Sequence, residues 1–347
     1  MGAAGYNPRM IRRKSKKDSC EVAILVDEEA GTLLKSGRFV PGRGSMEAHL
    51  LKCLHAQYRN VAVVPFASGV VATIEALRAL RPSIVFNATE WVDGDRSLDA
   101  AIAGLLDMMK LRYTGSGPAG LQLARDKVLS KSVVAELDVA VPRHFVLERG
   151  NRVRRHGLAY PLIVKPQFGD GSEEIDRNSV VGSERALQAR VRALRTRING
   201  PLVCEEFIEG RDLFVALLGN EPRVMPPLEL VVGKAGAAAP RLATYRVKHD
   251  KPYQRKWDIR FRRARLGREV AARIDEASRR IFHALKLRDY ARIDYRLTPD
   301  NELVFLEANP NPDLAPHTFG RDQCFAGVKY PELIRSIVEA ARRRPRA

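Results

Sequence analysis

Short apolar runs alternate along the chain with stretches whose apolar residues recur every three or four positions. Glu21–Val26 has the composition of a strand, and Met46, Leu50, Leu51 and Leu54 then keep helical spacing over 46–58. Val61–Pro65 predicts a second strand, 70–80 a helix, and Ser83–Phe86 a third strand ending in the polar loop Asn87–Arg96. A further helix spans 97–110. Strands alternating with helices predict a parallel sheet covered on both faces. Residues 20–116 therefore read as one α/β domain.

The rhythm changes after the Gly-containing turn Tyr113–Ser116. A helix over 118–137 ends before Val141-Pro142, and His144–Leu147 and Pro161–Lys165 read as strands flanking a polar hairpin. Residues 183–197 predict a helix with a basic outer face, and Leu202–Ile208 and Leu213–Leu218 are strands joined by Glu209-Gly-Arg211. Residues 233–268 show little periodicity and many cations, and much of this stretch reads as a mobile loop. A helix over 268–287, strands Ala291–Leu297 and Leu303–Glu307 around the turn Pro299–Glu302, and a helix over 330–344 complete the chain. Residues 1–19 lack apolar periodicity and read as a basic, disordered tail.

Composition narrows the class. The 347 residues are 45% hydrophobic and 29% charged, which suits a chain that buries real cores and excludes disordered and fibrous proteins. No apolar run approaches the roughly 18–20 residues of a membrane span. The run after the basic N-terminus is too short for a signal-peptide core, so the expected location is the cytoplasm. Cys20, Cys53, Cys204 and Cys324 lie too far apart for a zinc knuckle or redox pair, and read as idle thiols in a reducing compartment.

The net charge of +18 asks for a partner, and its location decides which. Residues 1–17 hold six cations and no acid, 241–268 hold eleven cations against two acids, and 335–347 hold five against one. The rest of the chain is close to neutral, and the basic runs carry no paired aromatics for base stacking. Nucleic acid is therefore a disfavoured partner.

The sharpest candidate chemistry is Arg292-x-Asp294 together with Glu307-x-Asn309. In a strand, residues two apart share a face, so a hairpin can gather all four. Two carboxylates and an amide oxygen are hard ligands suited to Mg²⁺ held with phosphate oxygens. Arg292 beside them could stabilise developing negative charge. A solvated hairpin face with cross-strand ion pairs has the same composition, but the stiff run Asn309–Pro316 after the strand favours a shaped pocket. Lys165 ends an apolar strand and precedes the glycine-rich turn Gln167–Ser172, where Gly171 and Ser172 could present N–H groups to phosphate. An ordinary hairpin would look similar, and the Walker pattern is missing. Glu205–Asp212 joins two strands, where backbone groups could meet an adenine edge and a later acid ribose hydroxyls; a plain solvated connector fits as well. Lys127 follows Asp126 within a helix, where an isolated lysine is ordinarily a surface residue.

In order and spacing these pieces resemble the ATP-grasp ligases, most closely the D-alanine–D-alanine ligase branch, from about residue 21 to 335. The carrying segments are Tyr113–Ser116, Ala124–Lys127, Tyr160–Pro166, Glu205–Arg211, Tyr290–Tyr295 and Glu307–Pro310. The resemblance implies an α/β fold of ATP-grasp type in three parts: an N-terminal domain over 20–116, a central lid over 117–204 and a catalytic domain over 205–340. It implies ATP and Mg²⁺ (or Mn²⁺), amino-acid or peptide substrates, and a homodimer. Lys127 and Lys165 would contact phosphates, Glu205, Glu206, Phe207 and Ile208 adenine, and Asp212 ribose. Asp294, Glu307 and Asn309 would hold the metal, Arg292 would stabilise the tetrahedral intermediate, and Lys248 would be the mobile-loop lysine. The implied reaction phosphorylates a carboxylate to an acyl phosphate, which an amine then attacks.

The departures from that family fall on substrate-facing positions. The N-terminal substrate loop has no clear match, leaving Glu28 as its candidate acid. The loop Asn87–Asp95 lacks the family's histidine, His249 stands where the family has tyrosine, and Asp313 stands where it has glycine. Thr318 takes the place of a hydroxyl that holds the second substrate's carboxylate. Asp313 could meet a cationic group, so a substrate other than D-alanine is open, as is a nucleotide- or nucleic-acid-binding role on the same scaffold.

Overall fold

The computed structural model describes residues 20–345 apart from 35, 37, 67–68, 92–94, 152, 154–155, 170–173, 235–241, 317–324 and 326. The expected basic tail lies outside these residues.

Strand Val22–Val26 sits between Val61–Pro65 and Ile84–Ala88, all parallel. Its five residues are all buried, as a parallel strand covered on both faces requires. Val22, Ile24 and Val26 face helix Met46–Gln57 and the C-terminal helix Tyr330–Arg343. Ala23 and Leu25 face helices Gly69–Leu80 and Asp99–Met108. The expected alternation is borne out. A hairpin, Gly31–Leu33 with Phe39–Pro41, was not expected.

The expected helix over 118–137 is two helices, Pro118–Arg125 and Lys127–Ala135, broken at Asp126. Asp126 has extended backbone (ψ 102°), and its carboxylate accepts hydrogen bonds from Val128 N at 2.9 Å and Leu129 N at 3.1 Å. A short acid that caps the second helix ends the first. Ala124 and Val134 pack into the core of the large sheet described below. Next in the chain is a four-stranded antiparallel sheet ordered His144–Leu147, Leu202–Glu206, Leu162–Pro166, Val180–Val181. Helix Glu184–Arg195 packs on it through Leu187, Val191 and Leu194.

The large antiparallel sheet runs Ile259–Arg263, Leu228–Val232, Arg211–Leu218, Tyr290–Leu297, Leu303–Asn309, with Arg223–Val224 beside the third. Helix Arg268–Ala284 covers one face. The other face adjoins the core beneath the parallel sheet through Phe214, Ala216 and Leu218.

The loop expected over 233–268 is corrected. It holds helices Tyr245–His249 and Lys251–Trp257 and the edge strand Ile259–Arg263. Thr244 and Asp250 cap helices too short to show a period, and the strand's only apolar residues are Ile259 and Phe261. Its arginines Arg260, Arg262 and Arg263 are exposed. These three cations of the segment therefore blunt a sheet edge.

Candidate active site

Strands Tyr290–Leu297 and Leu303–Asn309 pair so that Arg292 opposes Asn309 and Asp294 opposes Glu307. The four side chains anticipated from sequence therefore share one patch. Ile293, Tyr295 and Leu297 turn to the opposite, helix-covered face. The register shifts at Asp294/Tyr295, which leaves Leu306 as an extra residue on its strand. Because of this bulge, consecutive residues Leu306 and Glu307 both line the same cavity. Arg292 grips Asp294 with two hydrogen bonds, Nε–Oδ1 at 2.6 Å and Nη2–Oδ2 at 3.1 Å.

The electrostatics of the two carboxylates differ. Burial raises both, but the ammoniums of Lys127, Lys248 and Lys165 hold Glu307 down at about 2. Burial pushes Asp294 up despite Arg292 and Lys248, and the Glu307 charge adds to the rise. Among the described residues no third His, Cys, Asp or Glu joins them. Among the described residues, Asn309 Nδ2 is buried without a hydrogen-bond partner, so its amide is not committed to them through that atom. Two carboxylates and one amide fit Mg²⁺ that completes its oxygen shell from phosphates and water.

Three predicted lysines converge on this patch. Lys127, the first residue of its helix, reaches Gly169 O at 2.5 Å. Lys248 is buried with Nζ 5.7 Å from the Phe214 ring centroid. Lys165 binds Glu205, Nζ–Oε2 2.9 Å. The second oxygen of Glu205 meets Lys131, Nζ–Oε1 2.8 Å, and Lys131 is wholly buried. Lys131 went unnoticed in the sequence, although it lies one turn beyond Lys127 on the same helix face.

Burial works to raise Glu205, and its two lysines overcome this and leave it at about 2. Burial lowers Lys131 to about 8, since Glu205 only partly offsets burial and the cations Lys165 and Lys127. The two shifts differ because Glu205 faces two opposite charges and Lys131 faces one. At neutral pH Glu205 and Lys131 therefore face each other as an ion pair. Glu205 is thus a buried counter-ion to Lys165 and Lys131 rather than a surface acid.

The connector beyond Glu205 lies between the two antiparallel sheets. Glu206, Phe207, Ile208 and Asp212 line one cavity with Lys165, Lys248, Asp294 and Glu307. Phe207 N donates to Pro161 O at 3.0 Å, which fixes the connector to the four-stranded sheet. Gly210 has φ +149°, and a Cβ there would lie 2.3 Å from Leu297 O. Only glycine allows the chain to cross this close to the neighbouring strand. Asp212 pairs with Arg296, Oδ1–Nη2 3.1 Å. Arg296 was also missed, though it follows Asp294 by two residues on the same strand face.

Comparison with known proteins accounts for this arrangement. The family profile described as "D-ala D-ala ligase C-terminus" matches residues 133–339. The chain belongs to the D-alanine–D-alanine ligase family. A D-alanine–D-alanine ligase of Bordetella petrii is 31% identical over 70% of this chain and 72% of its own. An uncharacterised protein of Sinorhizobium fredii is 31% identical over 80% and 81%. The crystal structure of a D-alanine–D-alanine ligase from Bacillus anthracis complexed with ATP superposes with a TM-score of 0.70. It is 17% identical and covers 93% of this chain and 97% of that one. The fold is the ATP-grasp ligase fold, and the protein is an ATP- and Mg²⁺-dependent ligase forming carbon–nitrogen bonds.

The substrate side of this ligase departs from the sequence expectation. Glu28 is exposed on a single helical turn. Its neighbour Asp27 turns inward, where the carboxylate accepts hydrogen bonds from Glu90 N (3.0 Å) and Trp91 N (3.2 Å). Burial pushes Asp27 up to about 6 against those two bonds. Asp27 thereby ties the loop after Val22–Val26 to the loop after Ile84–Ala88. Asp313 accepts from Ala315 N at 2.7 Å and closes its own turn. Ser116 N donates to Asn311 Oδ1 at 3.0 Å, so the Tyr113–Ser116 turn braces the segment after Asn309. A cleft of about 560 Å³ opens beside Asp126 and Gly169, lined by Trp91, Arg96, Arg125 and Phe168. Gly171, Ser172 and Thr318 lie outside the described residues.

Proposed function

We propose that the protein activates the carboxylate of an amino acid or short peptide with ATP and joins it to an amine. The carrying observation is the pairing of Asp294 with Glu307, beside Arg292 and Asn309, in a cavity shared with Lys165 and Lys248. Phosphoryl transfer asks a protein chiefly for positioning and charge neutralisation. Lys127, Lys165 and Lys248 neutralise phosphate oxygens, with Glu205 and Lys131 holding Lys165 in place. Asp294, Glu307 and Asn309 would hold Mg²⁺, which would supply positive charge against the phosphate oxygens. Arg292 faces the charge that develops on the acyl oxygen as the amine attacks. Glu206–Ile208 border the adenine and Asp212 the ribose.

The cleft beside Lys127 and Gly169 receives the substrates; its volume lies within the ~300–1,000 Å³ typical of small-molecule sites. Of the loops altered relative to D-alanine–D-alanine ligases, Asn87–Asp95 lends Trp91 and Asp95 to this cleft, which supports an amino acid or peptide other than D-alanine for at least one substrate. The three-part division at 116 and 204, a homodimer and a cytoplasmic location belong to the same reading. The buried free thiols of Cys20, Cys53 and Cys204 are compatible with that compartment.

Purified protein with ATP and Mg²⁺ should release phosphate only when amino acids or short peptides are added, with the product read by mass. Silence across the L- and D-amino acids and dipeptides would sink the proposal. Glu307→Gln should lower turnover by about a hundredfold or more, and unchanged turnover would remove Glu307 from its assigned role.

A further inference from the structure

Arg296 is a nearly fully buried cation inside the nucleotide cavity, and no element of the proposed reaction uses it. Two of its nitrogens are committed. Nη1 donates to Gly210 O at 3.1 Å, and Nη2 meets Asp212 Oδ1 at 3.1 Å. Nε is buried and has no hydrogen-bond partner among the described residues. A buried donor left unmade is costly, and a charged one more so. Such a group is ordinarily answered by a ligand or an ordered water.

The surroundings indicate what answers it. One side of the cavity is apolar, with Ile163, Phe207, Phe214 and Leu306, and suits a flat base. The Arg296 guanidinium carbon lies 5.6 Å from the Phe207 ring centroid, so the cation adjoins this side. Arg296 and Asp212 form its polar end. Together they offer an acceptor and a spare donor side by side. A ribose diol needs that combination, because each hydroxyl gives one hydrogen and accepts another. The paired charges cancel, so this end neither attracts nor repels the phosphates.

We propose that Arg296 is a specificity-determining residue of the nucleotide pocket, donating from Nε to a ribose hydroxyl that Asp212 also contacts. The proposal rests on the ATP reading above. It assigns this chain a selectivity for ribonucleotides over deoxynucleotides. A site that hydrogen-bonds a hydroxyl rejects the analogue lacking it, because its buried groups are then left unpaired.

The test compares ATP with 2′-deoxyATP and 3′-deoxyATP in steady-state kinetics, alongside direct titration of ATP onto the protein. The wild type should lose about tenfold or more in kcat/KM with at least one deoxy analogue. Arg296→Met should raise KM for ATP about tenfold, change kcat little, and reduce the ribose-to-deoxyribose ratio to within about threefold. Arg296→Lys, which keeps the charge but not the fork, should lie between. A ratio below threefold in the wild type overturns the proposal. So does a variant whose KM rises while its ratio stays at the wild-type value, the signature of a clamp that only holds Gly210 and Asp212. Should Arg296→Met fail to unfold cooperatively, the wild-type ratio and Arg296→Lys decide. Absence of ATP binding by the wild type overturns the ligase reading itself, whereas ATP binding without discrimination overturns only the role of Arg296.

Discussion

Truncating Lys131 removes one of the two cations that keep Glu205 ionised in a wholly buried site. Breaking a buried ion pair from one side is costly because the remaining charge stays out of water. Lys131→Met should therefore destabilise the protein by about 3 kcal/mol in chemical denaturation, and raise KM for ATP through the released Lys165. Lys131 touches no predicted ligand, so a loss of stability without any change in KM would restrict it to the fold. Asp27 gives a test by pH. Its native carboxyl titrates near 6, above the ordinary 3.8, so between these values the folded state holds more protons than the unfolded. The contribution is present below the ordinary value and lost as pH rises through about 6. Asp27→Asn keeps an acceptor for the Glu90 and Trp91 N–H groups, and should flatten the decline in urea midpoint across this window.

Individual elements owe their function to local irregularities. The bulge at Leu306 sets two consecutive side chains on the cavity face, and strict alternation would have turned one of them away. The break at Asp126 starts a new helix at Lys127 and fixes the direction of its ammonium. A period-based reading smooths over both, since one extra residue or one capping acid hardly alters an apolar pattern. The edge strand Ile259–Arg263 is charged for a different purpose. Replacing Arg260, Arg262 and Arg263 with threonine should leave the fold intact but promote edge-to-edge association, seen as increased light scattering on storage. Unchanged scattering would return those arginines to an unassigned role.

Across the whole molecule, the cavity proposed for the nucleotide lies between the four-stranded and six-stranded sheets. Its volume is about 80 Å³, well below the ~300 Å³ at the lower end of small-molecule sites. On the proposed reading, ATP would need the two sheets to part. Bound ATP and Mg²⁺ should slow amide hydrogen exchange in the Phe207–Asp212 connector and in helices Tyr245–His249 and Lys251–Trp257. Equal exchange with and without nucleotide would show that the sheets do not close on it. The same scale changes the meaning of the +18 charge. Lys248 lines the cavity that also holds Asp294 and Glu307, while exposed arginines of the same segment line a sheet edge.

The sequence alone determined the alternating elements of the parallel sheet, the two carboxylates that meet on neighbouring strands and the lysines at strand and helix ends that the proposed reaction uses. These rest on local rules: the two-residue period of a strand, the spacing of a helix, and the chemistry of hard oxygen ligands. The tertiary structure alone decided what contacts those groups from a distance. It gave Glu205 its two lysines, gave Asp212 its arginine, turned Asp27 rather than Glu28 inward, and brought the C-terminal helix onto the first sheet. Each of these contacts joins residues far apart in the chain. Whether a charge is paired and buried depends on neighbours that no local pattern specifies.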